Sequence, residues 1–333
     1  MTTTQEQPIL AETTPVSVHR GKPLTPPRRR RGDLIFFRTT AAAGTLILVI
    51  LAAVAAFLLQ QAWPAVQASP AELAERIHWF DEDQTLLGYV GPLAFGTLLA
   101  SAIALTIATP VAVGVALFTS HYAPRPLAQA FGYVVDLLAA IPSVVYGLWG
   151  ALWLMPRLHP IYVWLSENLG FLPLFEGPVA NPPRTILTAG IILAVMILPI
   201  ITAVSREVFL QTPKLLEEAA LALGATRWEM IRMVVLPFGR SGVVGAAMLG
   251  LGRALGETMA VAMVLSPGFS YSLFLLKPGQ QQTTAANIAL QFPEATPTGV
   301  SVLVFTGLVL FVITLVVNML ARWAVSRAVG GAS

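Results

Sequence analysis

The most informative stretch of this sequence is GVVGAAMLGLGRALGETMAVAMVL, residues 242–265. An α-helix needs roughly 20 apolar residues to cross the hydrocarbon core of a bilayer, and this stretch is long enough. Two charged residues, Arg253 and Glu257, interrupt it near its middle. A charge at that depth costs about 2.5–3.5 kcal/mol on insertion scales, so it normally faces protein or water. The stretch therefore predicts a membrane helix with a polar, lipid-shielded face.

Five further apolar stretches give the chain six predicted spans. The spans are residues 41–60, 93–120, 133–155, 185–204, 242–265 and 298–320. Pro110 and Pro142 are expected to interrupt the second and third spans, which a membrane helix tolerates where neighbours or water satisfy the freed backbone groups. The sequence thus predicts an all-α polytopic membrane protein with six transmembrane helices.

The composition excludes several other classes of protein. Hydrophobic residues make up 56% of the chain and charged residues only 11%, whereas soluble proteins average about 25% charged residues. An ordinary cytosolic enzyme, a disordered protein and a nucleic-acid binder are therefore excluded. The chain has no cysteine and four scattered histidines, so no metal site is expected. The phosphate-binding loop GxxxxGK[ST] is absent, so ATP hydrolysis by this chain, and a cofactor within it, are not expected.

The distribution of basic residues predicts the orientation. Most of the 20 Lys and Arg residues precede the first span, follow the last, or lie in the second and fourth loops. The positive-inside rule then places both termini in the cytoplasm and the chain in the cell membrane. We expect a disordered cytoplasmic tail over residues 1–32, a transmembrane domain over 33–325 and a C-terminal tail over 326–333. The first span is longer than a signal-peptide core, which favours a retained helix.

The fourth loop, residues 205–241, predicts a docking surface on the cytoplasmic side. A short helix should begin at Lys214 and end at Gly224, whose flexibility suits a left-handed cap. Glu217 and Glu218 fall in its first turn, where the helix dipole favours carboxylates. A second short helix is expected over 227–235, followed by the next span. The alternative is an ordinary interfacial hairpin that only returns the chain.

Several motifs resemble a known family. Glu218-Ala219-Ala220, then Gly224 and finally Leu236-Pro237, are similar to the EAA loop of ABC-importer permeases, with Val234 at the usual Ile position. DLLAAIPSVVYG (136–147), LALGAT (221–226) and GRALGETMAV (252–261) resemble permeases of the phosphate-specific (Pst) ABC importers. The resemblance extends over residues 33–325.

The resemblance implies a multisubunit importer. Its partners would be a PstA-like second permease, a PstB-like ATPase dimer that binds ATP–Mg, and a PstS-like extracytoplasmic phosphate-binding protein. The residues expected to contact the ATPase are Glu217, Glu218, Ala219, Ala220, Gly224, Ala225 and Pro237. The lipid bilayer is the remaining partner, and nucleic acid is not one.

The charged residues of the fifth span are candidates for a translocation path. On one continuous helix Arg253 and Glu257 would lie about 40° apart on the same face, and Gly252 and Gly256 form a GxxxG spacing that admits a close helix. A guanidinium offers a planar fork of donors that matches phosphate oxygens. The candidate path residues are Arg253, Glu257, Thr258, Ser143, Tyr146 and Asp136. The alternative is an ion pair that holds two permeases together.

For three of the candidate path residues, a purely structural role is the alternative to lining the path. Asp136 is expected near the start of the third span, where it would complement the helix dipole or pair with an arginine. Ser143 and Tyr146 follow Pro142, so they either line the route or satisfy freed carbonyl groups. At the level of function, a permease for sulfate or molybdate, a proton-coupled secondary transporter and a simple membrane anchor remain alternatives.

Overall fold

The computed structural model describes residues 31–330, apart from the side chains of Arg31, Asp33 and 324–330. Most of the predicted N-terminal tail, and residues 331–333 of the predicted C-terminal tail, lie outside the described residues. The chain divides into two compact units, residues 1–54 and 55–333.

The described residues form thirteen α-helices and contain no strand. The helices are α1 (Arg31–Gln67), α2 (Pro70–Arg76), α3 (Leu86–Leu117), α4 (Arg125–Ala139), α5 (Ser143–Trp149), α6 (Met155–Leu169), α7 (Ile186–Leu210), α8 (Lys214–Ala222), α9 (Arg227–Met230), α10 (Leu236–Leu255), α11 (Met259–Val264), α12 (Thr284–Gln291) and α13 (Pro297–Gly330). Three π-helical turns join consecutive helices: Phe118–Tyr122, Gly150–Leu154 and Ile231–Val235. The all-α fold class predicted from the sequence is confirmed.

Five helices of the described part are long and apolar enough to cross a membrane. They are Leu34–Gln67, Leu86–Tyr122, Ile186–Leu210, Arg227–Leu255 and Pro297–Trp323. A sixth span consists of the pair Arg125–Ala139 and Ser143–Leu169, which meet at an angle of 94°. With this pair counted as one span, the chain has the six predicted transmembrane segments.

In the first unit, the described residues are the beginning of α1. The apolar side chains of this segment are exposed; Ile47 and Leu51, for example, are each 59% exposed. An exposed face this apolar is typical of a helix that is surrounded by lipid.

The core of the second unit lies between α3 and α7. Ala100, Ala104, Ala108 and Ala112 of α3 recur every fourth residue and are all completely buried. Small side chains at this spacing let a second helix approach closely, as is common in membrane bundles. Leucine and isoleucine side chains of α7 fill the contact, and α10 packs on α7 through Gly250.

The second span is not interrupted at Pro110, contrary to the prediction. Helix α3 continues from Leu86 through Pro110 to Leu117 and then into the π-helical turn. A proline removes only one backbone donor. The buried residues Ala108 and Ala112, on either side of it, pack into the core and hold the helix straight enough to continue.

The third span is broken at Ala140–Pro142. Helix α4 ends at Ala139, and α5 begins at Ser143. Proline disfavours the helical conformation at the residue before it, here Ile141. The predicted span 133–155 therefore corresponds to parts of two helices, as the interruption predicted at Pro142 requires.

The fifth span also differs from the continuous helix predicted over 242–265. Helix α10 ends at Leu255, and a short break at Gly256–Thr258 separates it from α11. At its other end the span begins earlier than predicted, because α9, the π-helical turn Ile231–Val235 and α10 form one helical run. The predicted second short helix is therefore part of the span. The wider π turn accommodates Pro237, whose ring would clash with a preceding carbonyl in a regular α-helix.

Candidate functional site

The two broken spans meet inside the bundle. Helix α5 follows the break of the third span, α11 follows the break of the fifth, and the two helices pack together through Gly147. A Cβ atom at Gly147 would lie 2.9 Å from both Ala260 Cα and Met263 Sδ. Backbone and side chain both fill this space, so only glycine permits the approach.

Arg253 lies in the last turn of α10, just before the break of the fifth span. The residue is partly buried, and its Nε atom is fully buried without a hydrogen-bond partner in the described part of the chain. A buried guanidinium donor with no protein acceptor is rare, because burial without a partner is costly. The arrangement leaves Arg253 available to an acceptor that is not part of this chain.

Tyr146 joins α5 to the end of α4 across the break of the third span. Its hydroxyl donates a hydrogen bond of 2.8 Å to the Leu138 carbonyl oxygen. This bond satisfies a carbonyl at the end of α4 and so supports the second of the two roles considered for Tyr146. Ser143, at the first position of α5, is partly buried.

Glu257 lies in the break itself and is only 8% exposed. Its Oε1 atom accepts a hydrogen bond of 3.1 Å from the Ala260 backbone amide, which caps the beginning of α11. The prediction that Arg253 and Glu257 share one face of a continuous helix is wrong, because the chain leaves the helix at Gly256. No ion pair within 4.0 Å joins the two charges among the described residues.

Two glycines of α10 face open space. Gly245 and Gly252 have nothing within 4 Å of an added Cβ atom. Both line a cavity of about 920 Å³ between α10 and α13, to which Asn318 and Arg322 also contribute. The GxxxG spacing therefore contacts no other helix of the described chain. Thr258, partly buried, lies at the other end of the break.

Asp136 lies in a different place from the other path candidates. It is in the last turn of α4, because the third span begins earlier and breaks sooner than predicted. The C-terminal end of a helix is unfavourable for a carboxylate, so the predicted dipole role is wrong. Asp136 lines a separate cavity of about 130 Å³ with Arg206 and Glu207. No described ion pair within 4.0 Å involves it.

The connection after α7 contains α8, the short helix that the sequence predicts there. Gly224 has a φ of +87°, which gives the left-handed conformation expected at the end of that helix. Glu218 and Ala219 are exposed, whereas Ala220 is partly buried and its carbonyl accepts a hydrogen bond from the Ala225 amide. Pro237 lies within a continuous helical run rather than in a connection.

Exposed apolar side chains surround this helix. Leu215 is 76% exposed and Leu223 is 90% exposed. Exposed leucines beside small residues are typical of a surface that a partner protein covers. Glu217 differs from its neighbours, because it faces inward and lies 3.6 Å from His121. The sequence did not indicate this contact.

A buried polar segment on the opposite side was also missed. Residues 281–287 lie between the predicted fifth and sixth spans, yet all seven are buried. The Gln282 carbonyl oxygen contacts α3 at Gly96, and the Thr284 amide donates to Thr97 Oγ1 at 2.9 Å. Asn287 donates to the Tyr89 hydroxyl at 2.7 Å. The signal available in the sequence was a run of uncharged amides, hydroxyls and alanines without any Lys, Arg, Asp or Glu.

These features together define a class of protein. Six apolar spans, two of them broken where they meet, and a Glu-Ala-Ala helix on an exposed loop are those of an ABC-importer permease. Residues 108–329 match the family described as binding-protein-dependent transport system inner membrane component. The chain belongs to this family.

Individual relatives narrow the comparison further. The phosphate transport system permease protein PstC 2 of Mycobacterium bovis is 49% identical over 281 residues, which are 83% of this chain and 86% of the relative. The PstC protein of Haemophilus influenzae is 39% identical over 272 residues, covering 80% and 84%. The resemblance to phosphate-specific permeases noted in the sequence is confirmed.

A solved structure shares the fold. A chain of a bacterial alginate ABC transporter, solved in complex with an alginate-bound periplasmic protein, matches with a TM-score of 0.59. The match covers 89% of this chain and 96% of that chain at 16% identity. At this identity the likeness shows the fold alone.

Proposed function

We propose that this chain is a permease subunit of an ATP-driven phosphate importer. The observation that carries the proposal is Arg253: a guanidinium in the last turn of α10, beside the break of the fifth span, whose buried Nε atom has no hydrogen-bond partner in the described chain. Intramembrane charges are functional sites by default. The names of the relatives indicate phosphate as the substrate. A phosphate oxygen is also an acceptor that matches the planar fork of a guanidinium.

Arg253 binds the phosphate in transit, and the residues around it hold the site. Tyr146 bonds to α4, and Glu257 holds the beginning of α11. A carboxylate such as Glu257 also accepts a hydrogen bond from a protonated phosphate, whereas fully deprotonated sulfate has no proton to donate. Thr258 and Ser143 lie at the edges of the two breaks. The path is completed by a PstA-like second permease on the open glycine face of α10.

The energy comes from other subunits. A PstB-like ATPase dimer, holding ATP–Mg, binds the exposed residues of α8 on the cytoplasmic side. A PstS-like phosphate-binding protein delivers phosphate on the other side of the cell membrane. The basic residues place both termini in the cytoplasm. ATP binding then moves α8 and changes the side on which the permease pair is open, which requires nucleotide contacts that differ between the two states.

Vesicle reconstitution tests the proposal. The full complex is reconstituted, and uptake of radiolabelled phosphate is measured with and without ATP. Arg253→Ala should lower the initial rate by about tenfold or more, since a hydrogen bond to a charged group contributes about 1.5–3 kcal/mol, while the subunits still co-purify. Arg157→Ala is the matched control, because Arg157 stacks on Trp153 at 4.0 Å, away from the breaks.

Co-purification of the subunits distinguishes a translocation path from an ion pair that holds the two permeases together. Loss of co-purification with Arg253→Ala would instead support an ion pair between permeases. Glu257→Gln should reduce discrimination against sulfate, measured as inhibition of phosphate uptake by excess sulfate. Uptake by the purified chain alone, without an ATPase, would contradict the proposal in favour of a secondary transporter.

A further inference from the structure

We propose that His121 is a positioning residue that fastens the coupling helix α8 to the cytoplasmic end of α3, so that α3 transmits the motion of α8 to the buried outer segment 281–287. The inference rests on the proposed function, because it assigns a route to the coupling between the ATPase and the permease. Neither His121 nor α3 belongs to the loop that the sequence motifs identify.

The contact between the two helices is a buried pair of titratable groups. His121 Nε2 lies 3.6 Å from Glu217 Oε1, and the two side chains are 8% and 21% exposed. A second pair of the same kind, His78 and Glu294, lies at 3.8 Å, with side chains 60% and 76% exposed. Exposed ion pairs contribute little because water and salt screen them, whereas a sheltered pair is screened much less.

The imidazole of His121 is held in place from its other side. Its Nδ1 atom lies 2.7 Å from Ser120 Oγ, and that hydroxyl is also 3.3 Å from the Leu117 carbonyl oxygen. When the hydroxyl donates to Nδ1, the ring proton is on Nε2 and faces Glu217. When the hydroxyl donates to the Leu117 carbonyl, the Nδ1 atom must donate to Ser120 Oγ and therefore carries a proton. Nε2 then also needs a proton to attract the Glu217 carboxylate, so the ring must be doubly protonated. In both cases Ser120 fixes the ring towards α8.

The backbone around His121 is suited to this contact. His121 lies in the π-helical turn Phe118–Tyr122, and such turns frequently occur at functional sites. An apolar cluster reinforces the junction: it contains Ala116 and Leu117 of α3 together with Phe209, Met230 and Ile231, and Ala220 of α8 packs against this cluster. The cytoplasmic end of α3 and α8 are therefore joined by the direct His121–Glu217 contact and by an apolar cluster that they share.

The opposite end of α3 is tied to the outer segment. Gly96 contacts the Gln282 carbonyl, Thr97 accepts a hydrogen bond from the Thr284 amide, and Tyr89 accepts one from Asn287. Between the two ends, α3 is continuous through Pro110. A rigid helix that is bonded at both ends carries a displacement of one end to the other, and packed helices and hydrogen bonds of this kind are one means by which distant sites are coupled.

The test is the ratio of phosphate transported to ATP hydrolysed by the reconstituted complex. His121→Gln and Glu217→Gln should each lower this ratio about fivefold or more, the lower part of the usual range for coupling between sites. The double variant should be no worse than either single variant, because both changes remove the same contact. His78→Gln combined with Glu294→Gln is the matched control and should leave the ratio unchanged.

A cross-linking experiment keeps the inference testable if those variants assemble poorly. The chain has no cysteine, so His121→Cys with Glu217→Cys offers only one pair of thiols. Without a reagent, this double variant should show the lowered ratio of phosphate transported to ATP hydrolysed, and a short bifunctional thiol reagent across the pair should restore it, since α3 and α8 then move as one body. Loss of transport on cross-linking, or an unchanged ratio in His121→Gln and Glu217→Gln, would overturn the inference. Failure of the unmodified complex to transport phosphate with ATP would instead contradict the proposed function.

Discussion

The two breaks in the membrane spans look alike but have different physical origins. In the third span the break follows from Pro142, which restricts Ile141 and ends α4 locally. In the fifth span no proline lies at the break, Gly256–Thr258. There the helix ends at Gly256, and Glu257 caps the helix that follows. One break is thus encoded by a single residue type, whereas the other depends on a side chain that finds its partner only in the folded chain.

The comparison also explains why the breaks coincide in space. A break frees backbone groups in a region without water, and these groups need partners. Tyr146 supplies one at the first break and Glu257 supplies one at the second. The small residue Gly147 lets the two regions touch. The site at Arg253 therefore lies between two breaks whose freed backbone groups are hydrogen-bonded and whose following helices pack together.

The largest effect is expected from separating the two breaks. Gly147→Leu places a branched side chain where even a Cβ atom would lie 2.9 Å from the Ala260 backbone. Overpacking a tight core costs about 1–3 kcal/mol and sometimes more. We expect a loss of about 3 kcal/mol in the free energy of unfolding, measured by denaturant titration in detergent micelles, together with loss of transport. A stable, active variant would mean that α5 and α11 do not depend on this contact.

A smaller effect is expected at the second break. Glu257→Ala removes the acceptor that caps α11 and should lower the free energy of unfolding by about 1 kcal/mol, as for other helix caps. Glu257→Gln keeps an oxygen acceptor and should retain most of this stability. Gly256→Ala is a suitable control, because its φ is −92° and an added Cβ atom meets only ordinary contacts. Equal stability of the Ala and Gln variants would contradict the capping role.

The smallest change in stability is expected at the first break. Pro142→Ala should lower the free energy of unfolding by less than about 1 kcal/mol, chiefly because the unfolded chain gains freedom. It should also let the third span straighten part of the time. Spin labels on cysteines introduced at Arg125 and Glu167 report this as a broader distribution of distances. An unchanged, narrow distribution would show that packing alone maintains the 94° bend.

The two breaks also show how far sequence reasoning reaches. The interruption at Pro142 was predicted, because proline acts on its immediate neighbour in any context. The interruption at Pro110 was wrongly predicted for the same reason: the rule ignores the alanine packing that keeps α3 continuous. The break at Gly256 was missed because its glycines were interpreted as a GxxxG spacing within a continuous span, although a glycine is also a local signal for the end of a helix.

The chemistry was easier to predict than the geometry. Six spans, the Glu-Ala-Ala helix with Gly224 at its end and an intramembrane Arg253 all follow from hydropathy, turn preferences and the cost of burying charge. These quantities depend on residues that are close in the sequence. Their arrangement does not: whether Arg253 faces Glu257, and whether Asp136 begins or ends a helix, depends on where helices bend.

The amino-acid sequence alone was sufficient for the class of protein, the number of membrane spans and the short helix α8, because the solvent preference of each segment is a local property. Only the folded structure could show that residues 281–287 are buried against α3, that His121 meets Glu217, and that Glu257 caps a helix instead of pairing with Arg253. Each of these contacts except the cap joins residues far apart in the chain. The cap joins residues only three apart, and it forms where the chain leaves the helix at Gly256.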